Sequence, residues 1–185
     1  SRYLHLADCT PVPWRNGGGV TQDLLTWPAA GDGWQLRVSV ALIDRAGPFS
    51  RFDGISRWFT VLDGAGVRLD LPAGPITLRP GDSPIHFDGA DAPGCALLAG
   101  PTHDLNFMAP FAAGRCGLRQ AWPGDAVDTT TRWRGLYTAG PACLRVGDVE
   151  HSLPSGTLAW SSDAAGPPWQ LIEGGPAWFM TLEQR

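Results

Sequence analysis

The chain contains no lysine, so arginine carries all of its side-chain cationic charge, and the formal net charge is −4. That balance excludes the basic footprint of a nucleic-acid binder. Charge of either sign is sparse, at 17% of residues against a usual value of about 25%. No apolar run approaches the roughly 20 residues that a membrane span requires, so no membrane partner is expected. The N-terminal SRYLHLADCTPVP lacks the charged-then-apolar layout of a secretory signal, and a cytoplasmic location is the expectation.

Metal-ligand spacing is missing too. His5, His86, His103 and His151 are far apart and form no H-x-H or H-x-x-x-H pair, so neither a metal site nor a cofactor is expected. Cys9, Cys95, Cys116 and Cys143 form no C-x-x-C pair. They read as buried free thiols, though three disulfide pairings are formally open. No G-x-S-x-G elbow marks a serine nucleophile, and Asn16-Gly17-Gly18-Gly19 lacks the pattern of a phosphate loop. No catalytic residue is assigned.

What is present is turn chemistry and aromatic mass. The 185 residues include 24 glycines, 17 prolines and nine tryptophans, with glycine and proline at about twice their ordinary usage and scattered between apolar runs. WQLRVSV, WFTVL, VRLDL and PITLRP are short, rich in branched and aromatic residues, and bounded by turn formers. An all-β fold follows.

A weak internal repeat organises the chain. Gly81 of LRPGD matches Gly156 of LPSGT, 75 residues on, and Gly100-Pro101 matches Gly175-Pro176 at the same offset. Gly64 matches Gly140 at 76, and Phe107-Met108 matches Phe179-Met180 at 72. Two packed β barrels or sandwiches are expected from this, within one domain 1–185 whose halves run 1–114 and 115–185.

Function is sought in the first half. Strict alternation in Trp34–Val40 puts Arg37 and Ser39 on one face of a strand, either in water or inside a barrel mouth, where a guanidinium can hold a carboxylate. GPFSRFDG reads as a structured loop anchored by Phe49 and Phe52, and Arg57 then opens a strand facing back toward Arg37. In HDLNFM, Asp104 and Asn106 share a face, the first suited to orient an arginine and the second to read a ligand's polar end. Gly17 to Gly19 either offer bare N–H groups beside the Asn16 amide or serve shape alone at a bulge or corner.

Taken in order, PWRNGGGVTQDL, WQLRVSVALIDRAGPFSRFDGISRWFTVLDGAG and GPTHDLNFM closely resemble the HutD/Ves family of bacterial proteins. The resemblance is strongest from Trp14 to Met108. It implies a cupin-type β-barrel or sandwich with two cupin-like halves, a bicupin, and association with histidine utilisation. It also implies binding of a small anionic metabolite such as urocanate or formylglutamate, with no established catalysis.

The site residues it carries over are Asn16, Gly17, Gly18, Arg37, Ser39, Arg57, Asp104 and Asn106, together with Gly19 and Phe49. Where metal-dependent cupins carry H-x-H, this chain has Arg37-Val38-Ser39, a protein cation in place of the metal. Two further readings stay open. One is a metal-independent isomerase or lyase with His103 or Asp104 as general base. The other is a scaffold whose exposed Trp122, Trp133 or Trp169 bind another protein or a second copy as a homodimer.

Overall fold

Branched and aromatic runs cut by glycine and proline become antiparallel strands throughout. The computed structural model describes residues 1–29, 33–127 and 130–183, with three short 3-10 segments beside the strands. Among the described residues no helix is long and apolar enough to cross a membrane. The chain divides into two compact units, one formed by Cys9–Ala112 and the other by Ser1–Asp8 with Ala113–Arg185. Strand β1 (Arg2–His5) runs antiparallel to Thr157–Trp160, which is why the first eight residues join the second unit and not the half 1–114.

Unit Cys9–Ala112 contains β2 (Val12–Pro13), β3 (Gly19–Trp27), β4 (Leu36–Ile43), β5 (Gly47–Pro48), β6 (Ile55–Val61), β7 (Val67–Leu71), β8 (Gly74–Leu78), β9 (Ile85–Asp88), β10 (Gly94–Leu97) and β11 (Thr102–Pro110). One sheet has the order β2-β3-β4-β11-β6-β9 and the other β5-β10-β7-β8. Ile43, Phe49, Phe59, Val61, Val67, Leu69, Leu78, Phe87 and Cys95 form its apolar core. The opposite faces of β4 and β11 carry Leu36, Val38, Val40, Leu105 and Phe107, also buried, so the central strands are covered on both sides.

The second unit contains β1 together with β12 (Arg115–Ala121), β13 (Ala126–Val127), β14 (Trp133–Thr138), β15 (Ala142–Val146), β16 (Val149–Leu153), β17 (Thr157–Ser161), β18 (Trp169–Gly174) and β19 (Ala177–Glu183). Its sheets are β1-β17-β14-β19-β12 and β13-β18-β15-β16. Strand for strand, β4-β11-β6-β9 is repeated as β12-β19-β14-β17, and β5-β10-β7-β8 as β13-β18-β15-β16.

The registers repeat as well. Asp104 lies opposite Val61, and Phe179 opposite Leu136, each 75 residues on. A methyl group on Gly64 would stand 2.5 Å from the Pro101 carbonyl oxygen, and one on Gly140 would stand 2.5 Å from that of Gly175. The same close approach therefore demands glycine in both copies. The 72-residue match of Phe107-Met108 with Phe179-Met180 is corrected: the ladders correspond at 75, which puts Phe179 and Thr181 where the first copy has Asp104 and Asn106.

Neither position is charged in the second copy, although its interior also buries Arg134, whose guanidinium carbon is 5.5 Å from the Trp169 ring centre. Phe179, Leu136, Ala159, Trp169 and Leu171 belong to its core. Trp133 and Trp169 are completely buried, which corrects their expected exposure, whereas Trp122 is 61% exposed. All four cysteines are free, with Cys95 and Cys116 buried and Cys9 and Cys143 partly so.

Candidate functional site

Alternation along four neighbouring strands builds a cavity of about 420 Å³ in the unit Cys9–Ala112. Thr21 and Asp23 project from β3, Arg37, Ser39 and Ala41 from β4, Asp104, Asn106 and Met108 from β11, and Arg57 from β6. Register aligns them: Ser39 faces Asp23 on one side and Asn106 on the other, while Met108 is opposite both Arg37 and Arg57. Farther along the sheet the same face carries Ile43, Phe59 and Val61. Polar residues thus line one end of the interior and apolar residues fill the other.

Of the residues expected at a site, Asn16, Arg37, Ser39, Arg57, Asp104 and Asn106 line this cavity, and Gly17 and Gly18 do not. The chain's two asparagines are both on its wall. Loop residues close it: Phe49 N–H donates to Pro93 O at 3.0 Å and Phe52 N–H to Gly89 O at 2.8 Å, holding both rings inward.

The deepest polar group is a three-residue relay. Arg57 donates to Asn106 Oδ1 from Nε at 3.0 Å and from Nη2 at 2.7 Å. Asn106 Nδ2 donates in turn to Asp104 Oδ1 at 2.5 Å. The Arg57 guanidinium carbon lies 4.5 Å from the Phe49 ring centre and 5.4 Å from that of Phe87, within cation–π range.

Burial is nearly total, with Arg57 7%, Asn106 3% and Asp104 0% exposed. Burial disfavours the charged form of both ends. It brings Arg57 down to about 10, helped by Arg37 and opposed by Asp104. It pushes Asp104 up to about 7 against the pull of Arg57 and the hydrogen bond from Asn106. Among the described residues, neither Arg57 Nη1 nor Asp104 Oδ2 has a hydrogen-bond partner. Such orphans are costly, so a buried donor and acceptor left open at a cavity wall are set for a guest.

Nearer the mouth, Arg37 is held by Asp23, with its Nε and Nη2 each 2.7 Å from Asp23 Oδ1. The expected link from Asp104 to an arginine therefore runs to Arg57, through Asn106, and Arg37 has its own acid. His103 alternates with Asp104 and leaves the cavity: its Nδ1 is 2.9 Å from Asp63. Of the two general-base candidates, only Asp104 reaches the cavity.

Of the two roles open to Gly17 and Gly18, donors to a ligand or shape, their N–H groups are engaged within the turn. Gly17 N–H donates to Trp14 O at 3.0 Å, and Gly18 N–H to Asn16 Oδ1 at 2.9 Å. Gly17 has φ +70°, and a methyl group on Gly19 would stand 2.3 Å from the Leu42 carbonyl oxygen. The glycines shape the turn into β3 and its contact with β4, and Asn16 caps that turn with its oxygen.

Sequence reasoning missed Asp23, Trp14 and Met108. Thr21 and Asp23 alternate with Val20 and Gln22, the signal used for Arg37 and Ser39, and Trp14 Nε1 donates to Thr21 Oγ1 at 2.8 Å. Among the described residues no group of three or more His, Cys, Asp or Glu is placed to hold a metal ion.

Comparison with known proteins follows the same residues. A family model described as HutD matches residues 6–171. An uncharacterised 21.2 kDa protein in the hutC 3′ region of Pseudomonas putida is 35% identical over 152 residues, which is 81% of this chain and 75% of that protein. Protein Ves of Citrobacter koseri is 36% identical over 124 residues, covering 66% of this chain and 63% of Ves. The structure of HutD from Pseudomonas fluorescens SBW25, in a formate condition, is 25% identical with a TM-score of 0.88 and covers all of this chain and 98% of that one. With the family model spanning most of its length and the whole fold matching that of HutD, the chain belongs to the HutD/Ves family.

Proposed function

We propose that the chain binds a small carboxylate metabolite, of the kind represented by urocanate or formylglutamate, and moderates histidine utilisation without itself turning the ligand over. The observation that carries this reading is Arg57, a guanidinium buried at the cavity floor with Nη1 unpartnered. Arg57 is the anion anchor, Arg37 a second cation nearer solvent, and Ser39, Asn16 and Asn106 supply hydrogen bonds. The cavity volume falls within the range of small-molecule sites. The P. putida relative in the hutC 3′ region supports the link to histidine utilisation, and that role belongs in the cytoplasm. The duplicated strand order and register support a bicupin, one copy keeping a polar cavity and the other filled.

Calorimetric titration of the purified chain with urocanate, formylglutamate, glutamate and histidine tests the proposal. At least one acid binds the wild type and binds Arg57→Ala at least about 30-fold more weakly. Full affinity in Arg57→Ala would remove the anchor.

One feature favours a second reading. A carboxyl group held near neutrality inside a cavity is suited to proton transfer, so Asp104 qualifies as the general base of a metal-independent isomerase or lyase. Mass spectrometry of each acid after long incubation distinguishes the two, since the binding protein returns the acid unchanged.

A further inference from the structure

The cavity floor has no spare positive charge when both of its ionisable groups are charged. Arg57 and Asp104 bracket the same Asn106 amide, and their charges cancel. Farther out, Arg37 is balanced by Asp23. Arg57 and Asp104 both line this one cavity, each with a buried, unpartnered polar atom, so an acid seated on Arg57 shares a dry site with the Asp104 carboxyl. Two carboxylates forced together in a dry site do not both stay ionised, and they share a proton instead.

The geometry points to proton-coupled binding: a carboxylate seated on Arg57 enters with one proton from solvent, which Asp104 holds on Oδ2 and donates to the ligand. Oδ1 is the oxygen that already accepts from Asn106, so the proton has one open place to sit. The ligand remains a carboxylate, accepting one hydrogen bond from Arg57 and one from Asp104. The floor then carries a net positive charge against the ligand's negative one.

The other groups near Asp104 do not supply that proton or replace it. Cys95, on β10, is pushed up to about 12 by burial and stays a neutral thiol. Asp63 is exposed and paired with His103. Ser39 on β4 lies opposite Asn106 and carries no charge. Asp104's own carboxyl, pushed up to about 7 before any ligand arrives, is poised to take a proton near neutral pH.

This inference rests on the carboxylate-binding reading and makes a separate demand of it. Titrating wild-type protein with formylglutamate and with urocanate at about pH 8, in two buffers of different ionisation enthalpy, counts the protons taken up. Uptake approaching one proton per ligand is expected, with affinity falling up to about tenfold per pH unit above neutrality. Asp104→Asn places an amide donor where Oδ2 stood, so the variant takes up no proton and binds more tightly than wild type at that pH.

Binding without proton uptake would overturn proton coupling and leave the carboxylate site standing. It would mean that the ligand donates an N–H or O–H to an ionised Asp104. Absence of binding by either acid would overturn both readings. The wild-type proton count does not depend on whether the variant folds.

Discussion

Arg57 has no rotational slack. Phe49 and Phe87 flank its guanidinium and Asn106 takes two of its N–H groups, leaving Nη1 to the cavity. Lysine is a compact, strongly hydrated point charge and lacks the planar fork that holds Asn106 from two nitrogens while keeping a third fixed. Arg57→Lys and Arg57→Ala are therefore both expected to weaken carboxylate binding, the alanine variant by about 2–5 kcal/mol, as read by calorimetry. Asp104 makes a prediction about stability. Its folded value, about 7, lies above the ordinary 3.8, so between those limits the folded chain holds a proton that the unfolded chain has lost. Stability falls as pH rises through that window and levels off above it. Urea unfolding at about pH 5 and pH 8 should show the loss in wild type and a flatter profile in Asp104→Asn. Alternation alone made Arg37, Ser39, Asp104 and Asn106 legible as face-sharing residues. It did not reveal that Asn106 stands between Asp104 and Arg57, because that depends on how β11 is registered against β6.

At the level of the strand, the sheet is the instrument that gathers the site. Residues from Thr21 to Met108 meet only because β3, β4, β11 and β6 are neighbours in that order. Alternation made the face of Asp23 legible, but not its pairing with Arg37. A β-bulge between Asp23 and Leu25 shifts the β3–β4 register, and no local pattern reports which residue then faces Arg37. The NGGG turn was legible as a place needing glycine, while the purpose of its N–H groups was not, since Gly18 satisfies its own from Asn16. Gly19 carries the steric demand. Gly19→Ala drives a methyl group onto the Leu42 carbonyl oxygen and should cost about 1–3 kcal/mol of stability in urea unfolding, with binding lost in proportion to misplacement of β3. Unchanged stability would mean that β3 and β4 separate there easily.

Across the whole molecule, one architecture is used twice with different interiors. Turn residues exposed the repeat, because glycine at a close backbone approach is hard to replace, as Gly64 and Gly140 illustrate. Apolar pairs misled at Phe107 and Phe179, which fall on different positions of equivalent strands. Among the described residues only the first copy has the Arg57–Asn106–Asp104 relay; the second buries a guanidinium, Arg134, over Trp169. In the second, Phe179 occupies the place of Asp104 within an apolar core, and Phe179→Ala should cost about 3–5 kcal/mol in chemical denaturation. A carboxylate site anchored on Arg57 is tested by thermal-shift titration with formylglutamate and urocanate in EDTA, comparing wild type with Arg57→Ala. A ligand at 100 times its dissociation constant adds about 2.7 kcal/mol, or roughly 5–10 °C for a chain of this size. The wild type should show such a shift and the Arg57→Ala variant, with its affinity about 2–5 kcal/mol weaker, less than a third of it. A shift of equal size in both proteins, or in neither, would rule out Arg57 as the anchor.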